Sequence, residues 1–218
     1  MIDWTWVADH LDAIAFRTVQ HVYLTAIAVA VGLVVSFGLA VWSVRRQTVR
    51  APVAAVSAIL YTIPSLAIFA AFVSITGISL LTAEIPLVMY TLVILVGNIT
   101  AGLDGVSRDV LEAADGMGFP RWRRLWRVEV PLAIPLIVAG LRLATVSTIG
   151  LVTVTAVLGD RFGGLGYFVL DGWHRYFPTE IYVGGLLSVM LAVAADLAFV
   201  RMQRRITPWA RARATDVR

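Results

Sequence analysis

Apolar positions gather in five long runs, at 22–44, 53–75, 85–103, 132–158 and 181–200, divided by short connections that carry most of the charge. Each run holds about 20 residues or more, the length a helix rising 1.5 Å per residue needs to cross a hydrocarbon core ~30 Å thick. The pattern predicts an all-α integral membrane protein of one domain with about five transmembrane helices, the fourth having length to spare for tilt. Ahead of the first run, Trp4, Val7, Leu11 and Ile14 recur at near-helical spacing. They fit a short amphipathic helix in the membrane interface, or a frayed tail with interfacial tryptophans. In the connection 104–131, Val106, Val110, Ala113 and Met117 share one helical face, with Ser107 placed to cap it and Gly118 to end it in a left-handed conformation. Pro120 suits the first turn of a second short helix, whose apolar side is Trp122, Leu125 and Trp126.

Composition supports the membrane reading. Apolar residues make up 59% of the chain and charged ones 15%, with a mean hydropathy of +0.84, against about 25% charged in an ordinary soluble domain. With no cysteine, neither a disulfide framework nor a thiolate metal site is available, and no metal is expected. All 18 basic residues are arginines. They sit at the ends of the apolar runs instead of forming a patch interleaved with aromatics, which argues against nucleic acid as a partner. In a five-helix topology, Arg45, Arg46, Arg50, Arg108, Arg121, Arg123, Arg124, Arg127 and the tail residues Arg201, Arg204, Arg205, Arg211, Arg213 and Arg218 share one side. Arg17, Arg161 and Arg175 fall on the other. The excess of positive charge in cytoplasmic loops then predicts a multi-pass protein of the cytoplasmic membrane, N-terminus outside and C-terminus in the cytoplasm. Asp3, Asp9 and Asp12 precede the first arginine, so the opening run reads as a retained helix, not a secretory signal.

The connection 104–131 also carries a resemblance. Glu112-Ala113-Ala114, Gly118, Val128, Val130-Pro131, Pro135 and Ile137 resemble, in order, the EAA loop of ABC importer permeases, with Trp126 where a Phe is commoner. The resemblance implies a coupling helix that seats in a cleft of a separate ATP-binding cassette subunit, with Glu112, Ala113, Ala114, Gly118, Pro131 and Pro135 as the coupling residues. ATP and Mg would be bound by that partner; the chain itself would have no catalytic residue and no cofactor. Consistent with this, no Walker-type phosphate loop occurs in the sequence. His21-Val22-Tyr23-Leu24, Thr62-Ile63-Pro64-Ser65-Leu66, Asn98, the block 112–142 and Gly163-Gly164-Leu165-Gly166 are similar to the osmoprotectant branch, which imports glycine betaine, carnitine and choline. Its compact Gly-rich turn is widened here by Gly159-Asp160-Arg161-Phe162.

That likeness, running over 21–166, implies an external solute-binding protein, a second permease subunit, identical or paralogous, and a compatible solute such as glycine betaine, choline, carnitine or proline. A permease for another small solute such as methionine is the alternative; an ion-gradient-driven secondary transporter would need ionisable residues along a path or inverted repeats. The outer aromatics Tyr167, Phe168, Trp173, Tyr176 and Phe177 fit a quaternary-ammonium cage, or an interfacial belt and docking face.

Several polar residues interrupt the runs. Pro64 predicts a kink that either opens a pathway or serves packing. Asn98, Thr145 and Thr148, with Ser147, Thr153 and Thr155, could line a polar route or hydrogen-bond between helices. Arg142 and Asp196 read as the two charges buried within spans, ~7 to 11 Å from the cytoplasmic end, and are expected to form a structural ion pair.

Overall fold

The computed structural model describes residues 2–207, and every regular element among them is helical. Arg211, Arg213 and Arg218 of the predicted basic tail lie outside the described residues. The chain runs α1 (Trp4–Asp9), α2 (Leu11–Arg45), α3 (Gln47–Thr62), α4 (Ser65–Thr76), α5 (Leu80–Asp104), α6 (Arg108–Gly116), α7 (Arg121–Arg124), α8 (Val130–Val154), α9 (Gly166–His174) and α10 (Pro178–Ile206). Helices α2, α5 and α10, and the continuous stretch Arg121–Leu158 that contains α8, are long and apolar enough to cross a membrane; α3 and α4 meet the same test only as a bent pair, a broken span or a re-entrant loop, so the described residues hold four or five candidate spans.

Three expectations change here. The N-terminal amphipathic segment is divided: α1 stops at His10, whose ring stacks on Trp6 at 4.3 Å and bonds the Trp6 carbonyl at 2.8 Å. Leu11 and Ile14 already belong to α2. The run 53–75 is two helices bent by 97°, not one kinked helix. Pro64 has no N–H to continue α3 and drives Ile63 into extended backbone (φ −77°, ψ 127°). Third, α5 begins five residues before the expected 85, because Ser79 and Thr82 form a reciprocal capping box there. That start brings Glu84 inside the helix.

The bundle is closed by α2, α5 and α8, which approach at small residues. A Cβ on Gly32 would lie 1.8 Å from the Thr91 hydroxyl, one on Gly140 2.5 Å from Asn98 Cβ, and one on Gly102 3.2 Å from Ala133. Such contacts let membrane helices gain dispersion energy where no hydrophobic force between helices exists. Two apolar layers follow, one with Leu24, Phe69, Leu87 and Val152, the other with Ala40, Leu95, Ile99, Leu125 and Ala144. The second layer is roofed by the connection 104–131.

Arginines separate by end as their sequence positions suggest. Arg45 donates to the Arg121 carbonyl at 3.2 Å and Arg50 pairs with Asp104, whereas Arg17 reaches the Asp160 carbonyl at the opposite end.

Candidate functional site

At the first of these ends the chain builds an elbow. Helix α6 finishes at Met117, and Gly118 takes φ +75° so that the Phe119 N–H can bond back to the Ala114 carbonyl at 3.1 Å, the closure typical of a glycine-terminated helix. Glu112 and Ala113 face outward while Ala114 is buried. Ser107 occupies the N-cap position but makes no side-chain cap bond, contrary to expectation; Asp109 in the first turn supplies the negative charge favoured there. Pro120 is the residue before α7, one position ahead of the first turn.

From α7 the backbone widens into a π-turn over Leu125–Glu129 before α8. The ring of Pro131 would clash with the Arg127 carbonyl in a regular α-turn, and the wider turn makes room for it. Arg124 binds Glu129 at 2.9 Å and also Asp115, locking the elbow to the start of α8. Trp126 stacks on Phe37 of α2 at 5.3 Å and meets Trp122 edge-on at 5.5 Å. Pro135 presents its carbonyl to Gln203 of α10 at 3.4 Å. The elbow is thus joined to α2 and α8, and α8 in turn to α10.

The opposite end is held by residues whose partners no local pattern reveals. Gln20 donates to the Arg161 carbonyl at 2.6 Å and accepts from the Gly164 N–H at 3.0 Å. His21, fully buried, accepts from the Leu165 N–H at Nδ1 (3.2 Å), so its proton sits on Nε2, 2.9 Å from the Ile149 carbonyl. Arg17 lies 3.9 Å over the Tyr167 ring. Phe168 and Phe177 pack edge-on against Trp6, at 6.0 and 5.6 Å, while Trp173 and Tyr176 are exposed. The five outer aromatics therefore do not converge on one centre, as a cage would require.

Two adjoining hollows lie along the bundle. One, of about 550 Å³, opens at the α3–α4 break and includes Pro64, Ser65, Tyr90, Leu143 and Ser147; the Tyr90 hydroxyl donates to the Ile63 carbonyl. The other, of about 270 Å³, is lined by Ala139, Arg142, Leu143, Val146 and Asp196. Arg142 and Asp196 form a two-pronged pair, one prong 2.8 Å long. They are not buried: 40% and 33% of their side chains are exposed. Arg142 is twelve residues beyond Val130 and Asp196 ten before Ile206, about 18 and 15 Å of helix.

The other predicted pathway residues are dispersed. Asn98 donates to the Ile94 carbonyl of its own helix at 2.8 Å and Thr145 to that of Leu141 at 2.8 Å. Thr145 lines an apolar groove between α2, α8 and α10; Thr148 is buried in the core. Glu84, not singled out from the sequence, is buried with neither carboxylate oxygen bonded. Tyr90 was missed too; an aromatic hydroxyl 27 residues after its partner Ile63 gives no local signal.

Together these features define a class: a multi-helix membrane protein whose long apolar helices are capped at one end by a compact helical elbow. Comparison with known proteins bears on the same point. The family model described as binding-protein-dependent transport system inner membrane component matches residues 28–212. The chain is 33% identical to the glycine betaine/carnitine/choline transport system permease protein OpuCB of Bacillus subtilis (strain 168), covering 94% of this chain and 93% of that one. It is also 33% identical to the osmoprotectant import permease protein OsmW of Salmonella typhimurium, over 93% and 96% of the two chains. A chain of the inward-facing MetNI methionine ABC transporter superposes with a TM-score of 0.79 at 19% identity, over 89% of this chain and 96% of that one, which speaks for the fold. The chain belongs to the binding-protein-dependent transport inner membrane component family: it is a multi-pass transport subunit of an ABC importer, not itself an enzyme.

Proposed function

We propose that this subunit passes a small compatible solute, of the glycine betaine, choline, carnitine or proline kind, across the cytoplasmic membrane into the cell. The substrate reading follows the relatives, whose names specify betaine, carnitine, choline and osmoprotectant transport. The observation that carries the mechanism is the elbow. It offers Glu112 and Ala113 to a partner, and it is tied to α2 by Trp126 and to the start of α8 by Arg124, while α8 in turn is bonded to α10 through the Pro135 carbonyl. An ATP-binding cassette subunit docks here, binding ATP and Mg in its own chain, and its closure moves all three helices at once. Glu112, Ala113, Ala114 and Gly118 form the docking helix; Pro131 and Pro135 shape the junction that transmits the motion.

The elbow end faces the cytoplasm and the Arg17 end faces outward, in line with the arginine distribution. The solute-binding protein docks on that outer end. A second permease, identical or paralogous, completes the path, because five spans can hardly enclose both pore and gate. Pro64 lies at the gate, where the α3–α4 break opens a hollow beside Tyr90 and Ser147; Asn98, Thr145 and Thr148 serve helix contacts next to it.

The test is uptake into proteoliposomes holding the permease with the ATPase and binding protein encoded beside it. ATP-dependent accumulation of labelled glycine betaine or choline is expected. A complex that hydrolyses ATP in response to methionine and accumulates neither betaine nor choline would overturn the substrate assignment.

A further inference from the structure

Arg142 and Asp196 face each other between α8 and α10, both within helices apolar enough to cross a membrane, on the wall of the 270 Å³ hollow. Charge left open within a span is expensive if lipid covers it, and intramembrane charges therefore turn toward a water-filled cavity or the bundle interior. A pair serving only to hold two helices gains from being closed over. That is what the chain does at the elbow, where the paired Arg124 and Glu129 retain 22% and 10% exposure, against 40% and 33% here. Leu143 lines both this hollow and the larger one at the α3–α4 break, whose wall includes Ser147 and Tyr90.

We infer that the Arg142–Asp196 pair is a solute-contacting site in the translocation path, opening to take a zwitterion. The guanidinium receives the solute carboxylate in its planar fork, and the Asp196 carboxylate faces the quaternary ammonium. One internal ion pair is exchanged for a hydrogen-bonded guanidinium–carboxylate pair and a bare charge contact, since a quaternary ammonium has no N–H to donate, so the solute is held without being trapped, as a path through a membrane requires. This rests on the proposed cargo and deepens it: the pair discriminates a zwitterion such as betaine from a cation such as choline.

The experiment uses the complete complex in proteoliposomes, with saturating binding protein that loads either glycine betaine or choline. In the variant R142M/D196L both charges become apolar groups of similar bulk, so that neither partner is left as an unpaired charge within a span. Assembly and basal ATP hydrolysis are expected to persist while betaine uptake falls by about tenfold, the loss of one good charge contact. R142Q removes only the cation. Its ratio of choline to betaine uptake is expected to rise about tenfold by the same reasoning, and this ratio is read on whatever fraction of the complex assembles.

Betaine uptake by R142M/D196L within about twofold of wild type would overturn the inference. So would R142Q lowering both solutes in equal proportion, since a purely structural pair does not tell one solute from the other. A wild-type complex that carries neither solute removes the proposed cargo and this inference together. A wild type that carries both, with unaffected variants, removes this inference alone.

Discussion

Gly118 has φ +75° and nothing within 4 Å of the place a Cβ would occupy, so substitution there meets two separable costs. Gly118→Ala adds only left-handed strain, about 1–2 kcal/mol, and is expected to lower ATP-coupled uptake severalfold while leaving the amount of membrane-inserted permease unchanged. Gly118→Trp adds bulk on an open surface, and is expected to abolish co-purification of the ATPase as well. Normal co-purification would remove the elbow from the docking face. Arg142→Ala and Asp196→Ala each leave a lone charge in the membrane and are expected to reduce folded yield equally, with recovery in the swap R142D/D196R; full yield in both single variants would show that the pairing is dispensable. The pairing partners were legible in the sequence because two opposite charges within apolar runs have few other places to go. Their exposure was not, since it depends on how α8 and α10 leave a hollow between them. Glu84 escaped notice because the apolar run was read from residue 85, whereas the Ser79–Thr82 capping box starts the helix earlier.

Among the elements, the break between α3 and α4 receives a side-chain hydrogen bond from α5. Tyr90 fills the need of the Ile63 carbonyl, and Tyr90→Phe leaves that carbonyl without it. A loss of about 1–3 kcal/mol is expected, seen as a lower melting temperature of the purified complex, while an unchanged transition would mean that water or another donor serves equally well. The spans were readable from apolar run length, and the break from Pro64, but not its 97° bend. A proline says where the hydrogen-bond ladder fails; the packing of α4 and α5 decides the direction taken afterwards. The π-turn over Leu125–Glu129 was invisible for a similar reason. Pro131 forbids a regular turn before it, yet several departures would relieve the clash.

On the scale of the whole molecule, the clasp made by Arg17, Gln20 and His21 joins positions 128 to 144 residues apart, beyond the reach of any periodicity. His21→Ala leaves the Leu165 N–H and Ile149 carbonyl without these partners. A cost of a few kcal/mol is expected from two buried groups at about 1–3 kcal/mol each, together with weaker capture of the binding protein in a pull-down, although Glu112 and the elbow are untouched. Full capture would free the 159–166 segment from any docking role. Orientation can be tested cleanly because the chain has no cysteine. Tyr176→Cys is expected to react with an impermeant maleimide added to intact cells, and Glu112→Cys only after permeabilisation; the reverse pattern would invert the topology.

Helix α2 is 35 residues long, roughly 52 Å, and touches both regions that matter. Near one extremity Phe37 carries the indole of Trp126, and toward the other His21 grips the glycine-rich segment. Because Gly32 sits hard against Thr91 between those two points, the rod has little freedom to flex or slide on its own. One unbroken helix therefore spans the distance between the elbow and the glycine-rich segment, so under the proposed docking of an ATPase at the elbow a displacement there would be felt at the far end of the bundle.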